Sequence, residues 1–244
     1  KRGQFRGGPA WYMARGLGMR WMGVLFSLFL LLAYGLIFNT VQANAGAHAM
    51  RYAVSCPEWL AGLALASIVL LTISFGLKGI ARLMQWLVPI MALLWVAASL
   101  FVAALHLAQV PGVLATIVKS AFGWREVASG ALGYTFSQAL MAGFQRGMFS
   151  NEAGMGSTPN AAAAASSWPP HPAAQGIVQL SGVFTDTIII CSASAMILLL
   201  AGPVPHASGT VGIQLLQQAL VTLTGGWGAG FVSLILILFA FSSI

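Results

Sequence analysis

The chain has 244 residues, of which 59% are hydrophobic and only 6% are charged. A soluble domain carries about 25% charged residues, so this composition excludes a water-soluble fold and indicates a protein that lies in lipid. The formal net charge of +7 comes from 11 Lys and Arg residues spread between apolar stretches, which indicates membrane topology rather than nucleic-acid binding. Cys56 and Cys191 are too far apart for a metal or redox motif.

Several apolar runs approach the roughly 20 helical residues that cross a hydrocarbon core of about 30 Å. The first three predicted spans lie at about 21–45, 59–77 and 83–105. Lys78, Gly79 and Arg82 form the predicted link between the second and third spans, which makes these two helices antiparallel neighbours. The apolar run at about 112–122 is too short to cross and predicts an interfacial or re-entrant helix.

The fourth predicted span, at about 128–148, contains four glycines, which weaken a helix. A polar, proline-rich loop follows it, and the fifth span, at about 176–201, contains Asp186. Leucine and glutamine alternate at helical spacing over about 211–223, which predicts a surface helix. The last span covers about 227–244. The chain is therefore predicted to be an all-α, polytopic membrane helix bundle with six crossings.

Positive charge orients the predicted spans, because Lys and Arg are retained on the cytoplasmic side. One set of alternate loops contains Lys1, Arg2, Arg6, Arg15, Arg20, Lys78, Arg82 and Arg146, and the other contains Arg51, Lys119 and Arg125. This split predicts a cell-membrane protein whose amino-terminal segment is cytoplasmic. The chain begins without Met and ends inside an apolar run, so we expect it to be a fragment.

Five segments share their pattern with a known family. Residues 146–165 read RGMFSNEAGMGSTPNAAAAA, 6–18 read RGGPAWYMARGLG, and 236–243 read LILFAFSS. Residues 76–96 and 171–202 continue the similarity in the same order. Together these segments resemble the sodium:alanine symporter family. The resemblance implies an APC-type fold of two inverted five-helix repeats, of which this chain holds about helices three to eight; its fourth span would be a discontinuous helix at the substrate site.

The resemblance also implies a substrate site. Gln42 matches a polar contact to substrate in the family, and Asn39 lies beside it on the same span. An interhelical hydrogen bond is the alternative role for these two residues. Thr135, Phe136 and Gln138 lie near the middle of the glycine-rich fourth span, where a helix break exposes backbone groups to a ligand. Ordinary helix packing is their alternative role.

Further polar residues suggest an ion site and a gate. Ser242 and Ser243 match the hydroxyl pair that the architecture offers to Na⁺, with back-bonding to their own helix as the alternative. Glu152, which Asn151 precedes, is predicted to pair with Arg146 as an inner gate or as a loop-structuring ion pair, with a direct substrate or ion role as the alternative. Structural and functional roles both stay open for Asp186.

Taken together, the resemblance implies a symporter that carries a small neutral amino acid of the alanine or glycine class into the cell with Na⁺, by alternating access. The partners are the amino acid, Na⁺ and the bilayer; no cofactor is expected, and H⁺ in place of Na⁺ stays open. A membrane enzyme needs converging acid–base groups, a nucleophile or a metal cluster, and a passive channel needs a filter or repeated pore segment. The sequence contains neither pattern.

Overall fold

The computed structural model of the protein describes residues 7–121, 137–138, 140–141, 143–144, 155–165, 168–169, 171–202 and 213–244. Every regular element within these residues is helical. The described residues of 1–36 and 117–191 form one compact unit, and those of 37–116 and 192–244 form a second. Each unit is described by itself.

The first unit contains two short helices that pack on longer ones. Its elements are α1 (Pro9–Arg15), α2 (Arg20–Leu32), α7 (Ser157–Ala164), α8 (Pro172–Phe184) and a π-helical segment, π2 (Thr185–Ile190). Pro9 is the first residue of α1, where its fixed φ suits the helix and its missing N–H costs no hydrogen bond. Helix α1 packs on α2, and α7 packs on α8.

The second unit is built from the remaining long helices. Its elements are α3 (Asn39–Val54), α4 (Glu58–Ser74), α5 (Gly76–Leu105), most of α6 (Val110–Ala121), α9 (Cys191–Ala201), α10 (Ile213–Thr224) and α11 (Gly226–Ser243). Helix α11 packs on α3, α5 and α10, and α4 packs on both α3 and α5.

The core of the second unit lies where α5, α9 and α11 meet. Trp95 is buried, and its ring centroid lies 6.5 Å from that of Phe239 in a T-shaped arrangement. Its indole N–H donates to Ser194 Oγ at 3.0 Å. Ser99 donates to the Ala193 carbonyl at 3.0 Å. Phe101, which follows Trp95 on α5, contacts Trp227, which precedes Phe239 on α11. Helices α5 and α11 therefore run in opposite directions.

Two long helices change their hydrogen-bonding pattern partway along. Residues 20–54 are helical without a break, but Ala33–Phe38 (π1) is π-helical. Residues 172–201 are likewise continuous, with π2 in the middle. A π-helical turn inserts one extra residue into the helix and is frequent at functional sites.

Four helices among the described residues are long and apolar enough to cross a membrane. They are Arg20–Tyr52, Lys78–Leu105, Pro172–Ala201 and Gly226–Ser243, and Glu58–Ser74 and Val110–Ser120 are shorter apolar helices. Many of their large apolar side chains are exposed on the outside of the helices. In water such a surface aggregates, whereas lipid solvates it, so the exposure fits a protein of the bilayer.

The turn between α4 and α5 differs from the predicted link. Lys78, Gly79 and Arg82 lie inside α5, and the turn falls earlier, at Phe75 and Gly76. Gly76 has a φ of 69°, a left-handed conformation that glycine adopts without steric cost. Lys and Arg are good helix formers, so their charge marked the end of the apolar stretch but not the end of the helix.

Helix α10 buries part of the polar face that predicts a surface helix. Gln217 is fully buried, and its Nε2 donates to Ser233 Oγ of α11 at 2.8 Å. Ala219 and Leu220 are buried as well. A buried amide in an apolar core is costly unless it is hydrogen-bonded, so this bond ties α10 to α11 at a defined register.

Candidate functional site

The predicted substrate residues on α3 follow directly after π1. Asn39 is the first residue of α3 and is half-buried, as is Gln42 one turn later. Asn44 lies on the same helix but is exposed. Irregular hydrogen bonding just before Asn39 and half-burial of Gln42 distinguish this part of the helix from an ordinary apolar span.

The predicted sodium ligands lie at the end of α11. The hydroxyls of Ser242 and Ser243 both donate to the Phe239 carbonyl, each at 2.9 Å. Ser242 is half-buried and Ser243 is exposed. Each hydroxyl donates its proton to a carbonyl of its own helix, and the lone pairs of its oxygen take no part in that bond. The geometry is therefore compatible with coordination of a cation by these oxygens.

Helices α3 and α11 approach closely. A Cβ atom at Gly46 of α3 would lie 3.1 Å from Ala240 Cβ of α11 and 2.9 Å from Leu65 Cδ1 of α4. Gly46 follows Gln42 by one helical turn, and Ala240 precedes Ser242 by two residues. One closely packed helix pair thus carries both the predicted substrate contact and the predicted ion ligands.

Asp186 lies within π2 of the first unit. It is half-buried, and its carbonyl accepts the Cys191 N–H five residues later, which is the π-helical bond. Cys191 itself is exposed and carries a free thiol. An acid in an apolar helix is costly and π-helical turns are frequent at functional sites, but a structural and a functional role for Asp186 both stay predictions.

Several predicted site residues fall elsewhere. Gln138 is helical and exposed. Thr135, Phe136, Arg146, Asn151 and Glu152 lie outside the described residues. The broken fourth helix and the Arg146–Glu152 gate therefore stay predictions.

The end of the NEAGMGS segment, residues 155–157, packs against the amino-terminal segment. Gly156 has a φ of 94°, and a Cβ there would lie 2.6 Å from Phe26 Cζ of α2 and 3.3 Å from Pro9 Cγ of α1. Asn160 of α7 donates to the Gly156 carbonyl at 3.0 Å, and a Cβ at Gly8 would collide with its Oδ1. Two segments that carry the family resemblance thus meet through glycines, a role that the sequence analysis missed.

A polar cluster at the end of α3 was missed as well. Arg51 Nη1 donates to Glu58 Oε1 at 2.7 Å, and His48 Nδ1 lies 3.2 Å from the same oxygen. The hydrogen bond from Arg51 is the largest influence on the pKa of Glu58 and lowers it below 4.5; desolvation opposes this, and the charges of His48 and Arg51 reinforce it. His48 and Arg51 are three residues apart and so share a helix face, a spacing that is readable from the sequence.

The long apolar helices, with apolar side chains on their outer surfaces, define a multi-pass α-helical membrane protein. The model of the sodium:alanine symporter family matches residues 1–244. The chain belongs to this family, which confirms the resemblance seen in its motifs. The family consists of transporters and not of enzymes, so the membrane-enzyme alternative is removed.

Curated relatives of the chain come from bacteria and archaea. The chain is 63% identical over 242 residues to an uncharacterized transporter of Escherichia coli, YaaJ. The matched region covers 99% of this chain and 51% of the relative. Identity is 44% over 240 residues to the probable sodium/glutamine symporter GlnT of Bacillus subtilis, covering 98% and 49%. It is 33% over 248 residues to the sodium/alanine symporter AgcS of Methanococcus maripaludis, covering 99% and 53%. The chain spans about half the length of the curated relatives it matches.

Proposed function

We propose that the protein is a secondary active symporter that moves a small neutral amino acid, of the alanine or glycine class, into the cell with Na⁺. Membership of a cation-coupled amino-acid transporter family supports the class of reaction. One relative is named as a probable sodium/glutamine symporter and another as a sodium/alanine symporter. The preference for a substrate with a small side chain is therefore part of the proposal.

The observation that carries the proposal is the close pairing of α3 with α11. Gln42 offers an amide to a zwitterionic substrate, and Ser242 and Ser243 offer hydroxyl oxygens to a hard cation, on two helices that touch at Gly46. Substrate and ion on one helix pair stabilise the same conformation, which is the physical basis of coupling.

In the proposed mechanism Na⁺ binding favours an outward-facing state that accepts the amino acid, and both then cross as one part of the bundle rocks against the other. The fold is the inverted five-helix repeat, the amino-terminal segment is cytoplasmic, and the inward passage is controlled by the Arg146–Glu152 pair. Coupling is the difference in ion affinity between the two conformations, because a ligand shifts an equilibrium only by its differential affinity.

Uptake of radiolabelled alanine into proteoliposomes containing the intact protein tests the proposal. An inward Na⁺ gradient should accelerate uptake and drive transient accumulation above equilibrium. The same gradient with sodium ionophore present is the control and should abolish accumulation. Uptake that is indifferent to Na⁺, H⁺ and Li⁺ gradients would contradict symport and favour a passive channel.

A further inference from the structure

A cavity of about 530 Å³ lies between the end of α3 and the start of α10 in the second unit. Its volume falls in the range of small-molecule sites, which is about 300–1,000 Å³. Among the residues that the structure describes, five side chains with polar groups line it: His48, Arg51, Tyr52, Gln214 and Gln218.

Arg51 supplies the positive charge of this cavity. A guanidinium has five N–H donors in a planar fork that matches a carboxylate. One nitrogen, Nη1, binds Glu58, and Arg51 also lines a neighbouring cavity of about 580 Å³ that contains Glu58. The bond to Glu58 therefore uses one of the five N–H groups of Arg51, whose side chain lines both cavities.

Helix α10 supplies amide groups from the other side. Gln214 and Gln218 are four residues apart and so lie on one face of α10. Gln218 Oε1 is enclosed and has no hydrogen-bond partner among the residues that the structure describes. An enclosed acceptor without a partner costs free energy, which a donor group on a ligand would recover. The last torsion of a glutamine is broad, so its amide can turn to present that oxygen.

We infer that this cavity is an outer subsite for a zwitterionic α-amino acid, separate from the transport site at Gln42. Arg51 binds the carboxylate of the ligand, and Gln218 accepts from its ammonium group. The inference rests on the proposed function, because it assigns the same class of substrate to a second place on the chain. The predicted topology puts the end of α3 outside the cell, so the subsite captures substrate before transport.

Equilibrium binding of radiolabelled L-alanine to the purified intact protein, at saturating Na⁺, tests the subsite. Wild type should bind two molecules per chain, and Arg51→Gln should lower the affinity of one of these two sites roughly fivefold. In uptake assays Arg51→Gln should raise the KM for alanine roughly fivefold, the size expected of an exposed ion pair, and leave kcat unchanged. Gln218→Leu lies away from the ion pair and should have the same effects, so it serves if Arg51→Gln does not fold.

Glu58→Gln is the matched control. It breaks the same ion pair but keeps the guanidinium, so it should retain two binding sites and a nearly normal KM. Equal effects of Arg51→Gln and Glu58→Gln would mean that Arg51 is purely structural and would overturn the inference, as would a single binding site in wild type. Two binding sites without Na⁺-dependent uptake would overturn the proposed function but not the subsite. Na⁺-dependent uptake with only one binding site would overturn the subsite but not the proposed function.

Discussion

Half-buried polar side chains on apolar helices carry the functional argument at the scale of single residues. Gln42 and Asn39 follow a π-helical turn, and Ser242 lies in the last turn of a helix that packs on theirs. A polar group in a lipid-embedded helix is costly, so it needs either a partner helix or a ligand to satisfy it.

The first prediction concerns Gln42. Replacing it with Leu should raise the KM for the transported amino acid at least tenfold, because a hydrogen bond to a charged ligand contributes about 1.5–3 kcal/mol. Initial rates of uptake over a range of alanine concentrations measure the change. Asn44→Leu is the control, since Asn44 is exposed on the same helix and should leave the KM unchanged. Equal effects of the two substitutions would refute a substrate contact by Gln42.

The second prediction concerns Glu58, which precedes the predicted second span. Its pKa is lowered below 4.5, chiefly by the Arg51 hydrogen bond. A carboxyl with a depressed native pKa stabilises the native state above its unfolded pKa and loses this contribution as the pH falls through the native pKa. Wild type should therefore melt above Glu58→Gln near pH 7, and the difference should shrink below pH 4.5. A melting difference that does not change with pH would show that the ion pair contributes nothing.

Individual candidate residues were predictable where a family motif marks them, as with Gln42 and Ser242. The polar cluster was not predicted, because Arg51 was interpreted as a loop residue and only folding brings Glu58 and the glutamines of α10 near it. Gly8 and Gly156 were missed for a similar reason. Their lack of a side chain allows close contact with residues that are distant in the sequence.

At the scale of elements, the contact of α1 and α2 with the segment that begins α7 depends on Gly156. We predict that Gly156→Ala destabilises the first unit by more than about 1–2 kcal/mol, the cost of a left-handed φ for alanine, because its Cβ would also lie 2.6 Å from Phe26. The midpoint of thermal unfolding in detergent measures the loss.

Gly112→Ala is the matched control for this substitution. Gly112 lies in α6 with nothing within 4 Å of its Cβ position. Alanine is the better helix former there, so the melting temperature should stay unchanged or rise. A Gly156→Ala protein as stable as the Gly112→Ala protein would mean that the close packing at Gly156 has no energetic weight.

Hydropathy could predict that most elements exist but not how their hydrogen bonds are arranged. Apolar composition does not change between Leu32 and Ala33, so π1 leaves no trace in the sequence. The turn before α5 was predicted at Lys78 because the charge there interrupts the apolar run. The structure has the turn at Gly76, whose left-handed backbone conformation hydropathy does not reveal. Burial of Gln217 was also unpredictable, since its partner Ser233 lies on the next helix.

For the whole molecule, composition sufficed to exclude a soluble protein, because only 6% of the residues are charged. The family followed from the motif around Gly156, and the match over residues 1–244 confirms it. The inverted repeat, the orientation and the substrate depend on how the complete set of helices packs, and the chain spans about half of its relatives. They therefore stay proposals.

Coupling between the two fluxes is the central claim, and flux of radiolabelled Na⁺ tests it most directly. Proteoliposomes containing the intact protein start with equal Na⁺ on both sides, and an inward alanine gradient is then imposed. The account predicts that Na⁺ enters with alanine in a fixed ratio and that Ser242→Ala weakens this coupled flux. Alanine entry at the full rate with no movement of Na⁺ would contradict it.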